Sequence, residues 1–353
     1  PDVSTTADVD EFVEVYNNTD SPITVSTSDG SAGWTLVASS GTELCRINNA
    51  TVLPARGHYL CTNTGGYSLN GYAVGDTGWS GADIPSAGGV ALFRTNNPVN
   101  YTLSERLDAA GYAGVNALYR EGNGFPTGGG ETTGNLDYTI VRSMTRTTGG
   151  LPRDTGDNVS DFMMVNTAGA STGMGAILGA PGPENLSSPI HRNSQFATLL
   201  LDPLTSSAAP PNRARDYTAV TNGTLGTLLV RRTFTNNTGA SVTRLRFRIV
   251  EFTTLTTPPV AGQADLRALN SSDGTVMVNG SPVTVRGLTL EQPPTQPNGG
   301  GWNSSMNTGF INLASPLANG NSVNVEFRLG VMAGGRFTLL VNIEATTSIA
   351  PPP

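Results

Sequence analysis

Two stretches alternate apolar and polar residues so regularly that they leave one backbone geometry open. In SVTRLRFRIVEF, Leu245, Phe247 and Ile249 fall on one side, with Arg244, Arg246 and Arg248 on the other. VNVEFRLGV repeats the pattern, setting Val325, Phe327 and Leu329 against Asn324, Glu326 and Arg328. A period of two belongs to a β-strand with one face in a core and one in solvent. With TFTNNTGASVTRL read as a hairpin turn and RFTLLVNIEA as the closing strand, residues from about 190 to 350 are expected to form an antiparallel sandwich. The arginine stripe, together with Arg231 and Arg232 on the preceding strand, then has two readings. One is a surface for an acidic polymer; the other, favoured by the acidic balance of the chain, is a solvated sheet face with Glu251 and Glu326 as cross-strand partners.

The first half is punctuated differently. DEFVEVYNNTDSPITV runs an alternating strand into a cluster of Asn, Asp, Ser and Pro, which predicts an opening β-hairpin. Short strands then alternate with long Gly-rich connections such as TNTGGYSLNGYAVGDTGWSGADIPSAGG, and one short helix is expected over 103–109 with Ser104 as its cap. The Pro-rich stretch GAPGPENLSSPI reads as the boundary between two domains, 1–185 and 186–353. At 353 residues, with 43 Gly, 23 Pro and 13% charged residues, the chain suits many short strands joined by tight turns. The fold class expected is all-β: two antiparallel β-sandwich domains in tandem.

Charge and hydropathy remove several functions. The net charge is −7 and all 20 bases are Arg. The absence of Lys excludes Schiff-base and Lys–Asn isopeptide chemistry, and the acidic balance argues against a duplex nucleic-acid binder. No run reaches the roughly 18 apolar residues of a membrane span, and PDVSTTADVD has neither the basic nor the apolar part of a signal peptide, as expected of a processed start. LPRDTG resembles a sortase signal with one residue too many and is read as a loop.

Cys45 and Cys61 are the two cysteines. Cys45 with Ile47, and Tyr59 with Cys61, fall on like-facing positions of two short strands, which predicts a cross-strand disulfide; two neighbouring thiols are the other reading. The two histidines, His58 and His191, have no Cys or His at metal-ligand spacing, and no nucleophile elbow is present. Both are expected to be non-catalytic, His58 as a loop residue hydrogen-bonding at the surface. RDTGDNVSD offers Asp154, Asp157, Asn158 and Asp161 in one loop, read either as a Ca2+ site or as Asx turns entering the strand DFMMV. Sequons at Asn17, Asn49, Asn100, Asn236 and Asn303 permit glycosylation.

FVEVYNNTDSPITV, followed by GWTLV and VLPARGHYLCT and closed by DTGDNVSDF and LGAPGPEN, resembles the lamin-tail domain of bacterial secreted and surface proteins. That resemblance covers the first half and implies an immunoglobulin-like sandwich without catalytic residues, carrying long inserts between Gly65 and Asn135. The second half resembles the β-sandwich repeats of bacterial surface proteins. The function expected is extracellular and structural, in a surface layer, sheath or filament, with partners that are copies of itself or other surface components. Assembly would proceed by strand donation from residues 1–7, a β-prone arm without its own hairpin partner. The alternative is a secreted adhesin or carbohydrate-binding module, with Tyr67, Tyr72, Trp79 and Trp302 stacking on sugar rings.

Overall fold

The computed structural model describes residues 9–81, 84–85, 87–126, 138–169, 175–254 and 261–348. The first half contributes β1 (Phe12–Tyr16), β2 (Ile23–Thr24), β3 (Gly33–Ala38), β4 (Glu43–Asn48), β5 (Val52–Leu53), β6 (His58–Asn63), β7 (Thr77–Trp79), β8 (Gly89–Phe93), β9 (Arg106–Gly111), β10 (Tyr138–Arg142), β11 (Phe162–Asn166) and β12 (Ile177–Leu178). The second half contributes β13 (Ile190–His191), β14 (Phe196–Leu200), β15 (Arg213–Asp216), β16 (Thr227–Asn236), β17 (Val242–Phe252), β18 (Asp265–Leu269), β19 (Gly274–Val278), β20 (Ser281–Val285), β21 (Thr289–Leu290), β22 (Ser305–Asn307), β23 (Ser322–Ala333) and β24 (Leu339–Thr347). Helix is confined to one turn, α1 (Asn158–Asp161), and short 3-10 turns among the described residues. The protein is nearly all-β, and its long ladders are antiparallel.

The alternating stretches form the strands their pattern requires. β17 lies in the sheet β13-β24-β17-β22-β21 and β23 in the sheet β14-β16-β23-β18. Leu245, Phe247 and Ile249 from one sheet meet Val325, Phe327 and Leu329 from the other in a single buried core, where the rings of Phe247 and Phe327 lie 5.2 Å apart. NNTGAS is not a hairpin turn: β16 and β17 lie in different sheets, so the turn carries the chain across the sandwich.

Strands of the first half form smaller sheets, β1-β6-β7, β2-β5, β4-β3-β8-β9 and β10-β11-β12. The opening is not a hairpin either. β1 pairs with β6 and β2 with β5, because each finds its partner across the loop that Asn17 organises. Where the sequence predicts a helix over 103–109, the chain forms β9 instead, taking the ladder with β8 that a helix too short to sustain itself would forgo. Cys45 and Cys61 form a disulfide, but between sheets rather than between paired strands, since β4 pairs with β3 while β6 pairs with β1 and β7.

Among the described residues no sheet mixes strands from the two halves. The Pro-rich connection between them is nevertheless held, not loose. Gly179 bridges Trp302, the Ala180 N–H donates to the Trp302 carbonyl at 3.0 Å, and Asn303 donates to the carbonyls of Ala180 and Pro181. Residues 1–8 and 349–353, which include the arm expected to donate a strand, lie outside the described residues.

Candidate functional site

The arginine stripe departs furthest from its expected role. Arg246 and Arg248 are 1% and 2% exposed, because the outward face of β17 is covered by the first half of the chain. Glu344 on β24 stands opposite Arg246 in the ladder and accepts from Arg246 Nε at 2.6 Å and from Arg248 Nε at 2.8 Å. Glu184, in the connection, pairs with Arg246 and lies 2.9 Å from Arg248 Nη2. Glu291 takes Arg244 at 2.9 Å and Arg246 at 3.3 Å, and the Tyr72 ring lies beside the Arg246 guanidinium. Of the residues expected to pair with the arginines, Glu326 does so with Arg231 at 2.7 Å, while Glu251 accepts from the Arg146 N–H. Arg231 and Arg232 lie on β16, in the other sheet, and do not extend the stripe.

His58 completes this network from the first half. It is 6% exposed on β6, not a surface loop residue. Its Nδ1 lies 2.7 Å from Glu14 Oε1 and its Nε2 lies 3.3 Å from Glu184 Oε2. Glu14 sits opposite Leu60 in the β1–β6 ladder, so His58 is its diagonal neighbour on the same face. Counted together, Glu14, Glu184, Glu291 and Glu344 face Arg244, Arg246, Arg248 and His58: four carboxylates against three guanidiniums and an imidazole. Burial works to raise the Glu344 carboxyl, but Arg248 and Arg246 outweigh it and hold it at about 2. The same contest, with Arg246 and Arg244 prevailing over burial, lowers Glu291. His191 is pushed down by burial.

Glu14, His58 and Glu184 each bring one ligand atom within 4.8 Å of the others, a spacing that suits a cation. The chemistry of the set does not fit one. Both Glu184 oxygens face guanidiniums, so the positive charge a metal would bring is already in place. Chemically the arrangement is an ion network that ties β1, β6 and the connection to β17 and β24. Its glycine is required: Gly182 has φ +54°, and a Cβ there would lie 2.7 Å from Arg248 Nη1 and 2.9 Å from the Asn303 carbonyl.

Beside the network, a cavity of about 540 Å3 is lined mainly by the first half, with His191, Arg248, Asn303, Asn342 and Glu344 from the second. Its walls are largely apolar, with Val13, Trp34, Leu92, Ile140 and Phe162 among them, and Glu14, His58 and Glu344 of the network also line it.

The other predicted site residues have structural employment. Asp154, Asp157 and Asp161 do not gather three carboxylate oxygens within 4.8 Å of one another. The Asp161 carboxylate accepts from Thr155 N and Oγ1, Asp157 from the Asn123 N–H, and Asp154 lies 3.5 Å from Arg142. Asn158, fully buried, accepts from Gly111 N at 3.0 Å and donates to the Ala109 carbonyl at 2.8 Å. Tyr67 and Trp79 are buried within hydrophobic clusters and offer no open ring face for a sugar. Tyr72 and Trp302 are half-buried, the Trp302 indole N–H donating to the Phe252 carbonyl. At the sequons, Asn17, Asn236 and Asn303 are buried with their amides hydrogen-bonded, while Asn49 is exposed and Asn100 half-exposed.

Sequence reasoning missed the network because its members are scattered along the chain. The one available signal was three arginines at period two on a strand otherwise rich enough in apolar residues to be covered on both faces. Comparison with protein-family models, curated proteins and solved structures finds no match.

Proposed function

We propose that the protein is an extracellular structural protein of a bacterial surface, sheath or filament, assembled from copies of itself, and that its first half is a lamin-tail-like module. The observation that carries this reading is the use made of the reactive side chains. His58 and the buried carboxylates, the groups best able to do acid–base chemistry, are bound into ion pairs that join the two halves. Such a network costs desolvation and returns a fixed relative position of the parts, which suits a building block more than a catalyst. The disulfide between sheets serves the same end. In this reading no catalytic step occurs.

Electron microscopy and dilution sizing at native concentration test it. Persistent, ordered assemblies are expected; a reproducible hydrolytic turnover abolished by changing one named side chain would overturn it. The second reading, a carbohydrate-binding or adhesive module, draws support from the 540 Å3 cavity and not from Tyr67 or Trp79. A monomer retained on a glycan column would favour it.

A further inference from the structure

The cavity borders strand edges rather than sheet faces. Residues 11–18, which include all of β1, and residues 138–142, all of β10, line it without a gap. Side chains alternate along a strand, so a cavity lying on a sheet's face would meet every second residue. Unbroken runs place it at the edge. β1 and β10 are each the outermost strand of their sheet, and no residue of β1 is fully buried.

The ladders leave these edges with free peptide groups. The bonds Asn17 N to Gly57 O and Asn63 N to Glu11 O place the β1–β6 hydrogen bonds at 11, 13, 15 and 17, so the peptide groups of Phe12, Glu14 and Tyr16 point away from β6. By the same alternation Ser143 N to Asp161 O leaves Ile140 and Arg142 pointing away from β11. The third edge at the cavity, that of β9, is closed by the Asn158 amide, which imitates a peptide group toward Ala109 and Gly111. β1 and β10 have no such plug among the described residues.

We propose that the groove between β1 and β10 accepts an extended strand, supplied by residues 1–8 of a second copy of this chain; this rests on the reading of the protein as a self-assembling structural component. An extended backbone carries donors and acceptors on both sides, so one strand can serve both edges that line the cavity. The charges lining the groove are already paired, Glu14 with His58 and Arg142 with Asp108, so the middle of the strand must be uncharged. In PDVSTTAD the residues between Asp2 and Asp8 are uncharged and alternate Val3, Thr5 and Ala7 with Ser4 and Thr6, long enough to match the five residues of β10. Folding back along its own β1 would use part of that segment for the reversal, since Asp10 is fixed by the Ser68 N–H.

Three proteins test this: the full chain, a chain lacking residues 1–8, and Ile140→Pro, which removes one groove-facing N–H without touching the β10–β11 bonds. Sedimentation velocity over a concentration series should show the full chain assembling and the truncated chain monomeric. The truncated chain should bind the synthetic peptide PDVSTTAD, and a scrambled peptide should not. Ile140→Pro on the truncated chain, with its fold checked by circular dichroism, should bind roughly five- to tenfold more weakly, the loss of about one hydrogen bond. If the truncated chain assembles as the full chain does, strand donation is wrong while the structural reading stands. If the full chain stays monomeric at every concentration, donation between copies is wrong whether or not the peptide binds, and the self-assembly reading fails with it.

Discussion

Asn17 and Asn236 lie in different halves of the chain and make the same set of hydrogen bonds. Each amide donates to the carbonyl four residues on, Ser21 and Ala240, and to a distant loop, Leu53 and Pro54 or Leu317. Each carbonyl oxygen accepts from the N–H and hydroxyl of the threonine two residues on, Thr19 or Thr238. Asn17 follows the last residue of β1 and Asn236 is the last residue of β16, and both hold the turn NNT that leaves the strand.

Replacing either Asn with Ala removes at least two amide donations and two accepted bonds from one turn at once. With each lost bond worth roughly 0.5–1.5 kcal/mol net, Asn17→Ala and Asn236→Ala should each destabilise by about 2–4 kcal/mol, and Asn18→Ala by much less. Chemical denaturation of the three variants checks it; equal midpoints for Asn17→Ala and Asn18→Ala would remove the hub.

Arg248 has Glu344 and Glu184 on one side and the Asn303 amide oxygen at 2.8 Å on the other. Arg248→Met keeps much of the volume and leaves both carboxylates short of a buried partner, a change that costs about 3–5 kcal/mol when a buried pair is broken on one side. Arg244→Met, at the exposed end of the stripe, should cost under about 1 kcal/mol. Calorimetric melting of the two variants compares them directly.

Acid should loosen the join between the halves. Glu344 is held from 4.5 down to about 2. A carboxyl whose folded value is depressed contributes stability that is present above its unfolded value and lost as pH falls through the folded one, so this contribution disappears from about pH 4.5 to about pH 2. Glu121 works in the opposite sense. Burial, with Asp108 beside it, raises it to about 7, so its contribution is present below about 4.5 and declines as pH rises through 7. Glu344→Gln should flatten the acid limb of a stability–pH curve and leave the neutral limb unchanged; an unaltered acid limb would show that other carboxylates govern it.

Reducing the disulfide should lower stability by about 3 kcal/mol in the chain-entropy account, given the 16-residue separation of Cys45 and Cys61. Both cysteines are buried, so reduction in the native state should be slow compared with reduction in denaturant. Thiol labelling with and without denaturant measures both rates.

Ca2+ in excess over chelator should leave the melting temperature unchanged, because Asp161 and Asp157 already accept from backbone N–H groups. A stabilising shift lost in Asp157→Asn would restore the loop as a cation site.

Local pattern alone determined the strands of the second half: period two in 242–252 and 322–333 leaves no other way to bury Phe247 and Phe327 together. The spacing around Cys45 and Cys61 made their pairing legible, but not that it joins two sheets, since pairing partners of β4 and β6 depend on residues far away. The arginine stripe marks the limit most clearly. Alternation specifies that Arg246 and Arg248 face away from the core of their own sandwich, and says nothing of what covers that face. Only the tertiary structure decided that β1, β6 and the connection lie over it, and burial is what turned two surface-patterned arginines into the centre of a network with His58, Glu184 and Glu344. The same holds for the free edges of β1 and β10: whether a strand has a neighbour on both sides is a property of the sheet, because backbone hydrogen bonds are donated and accepted alike by every residue but proline.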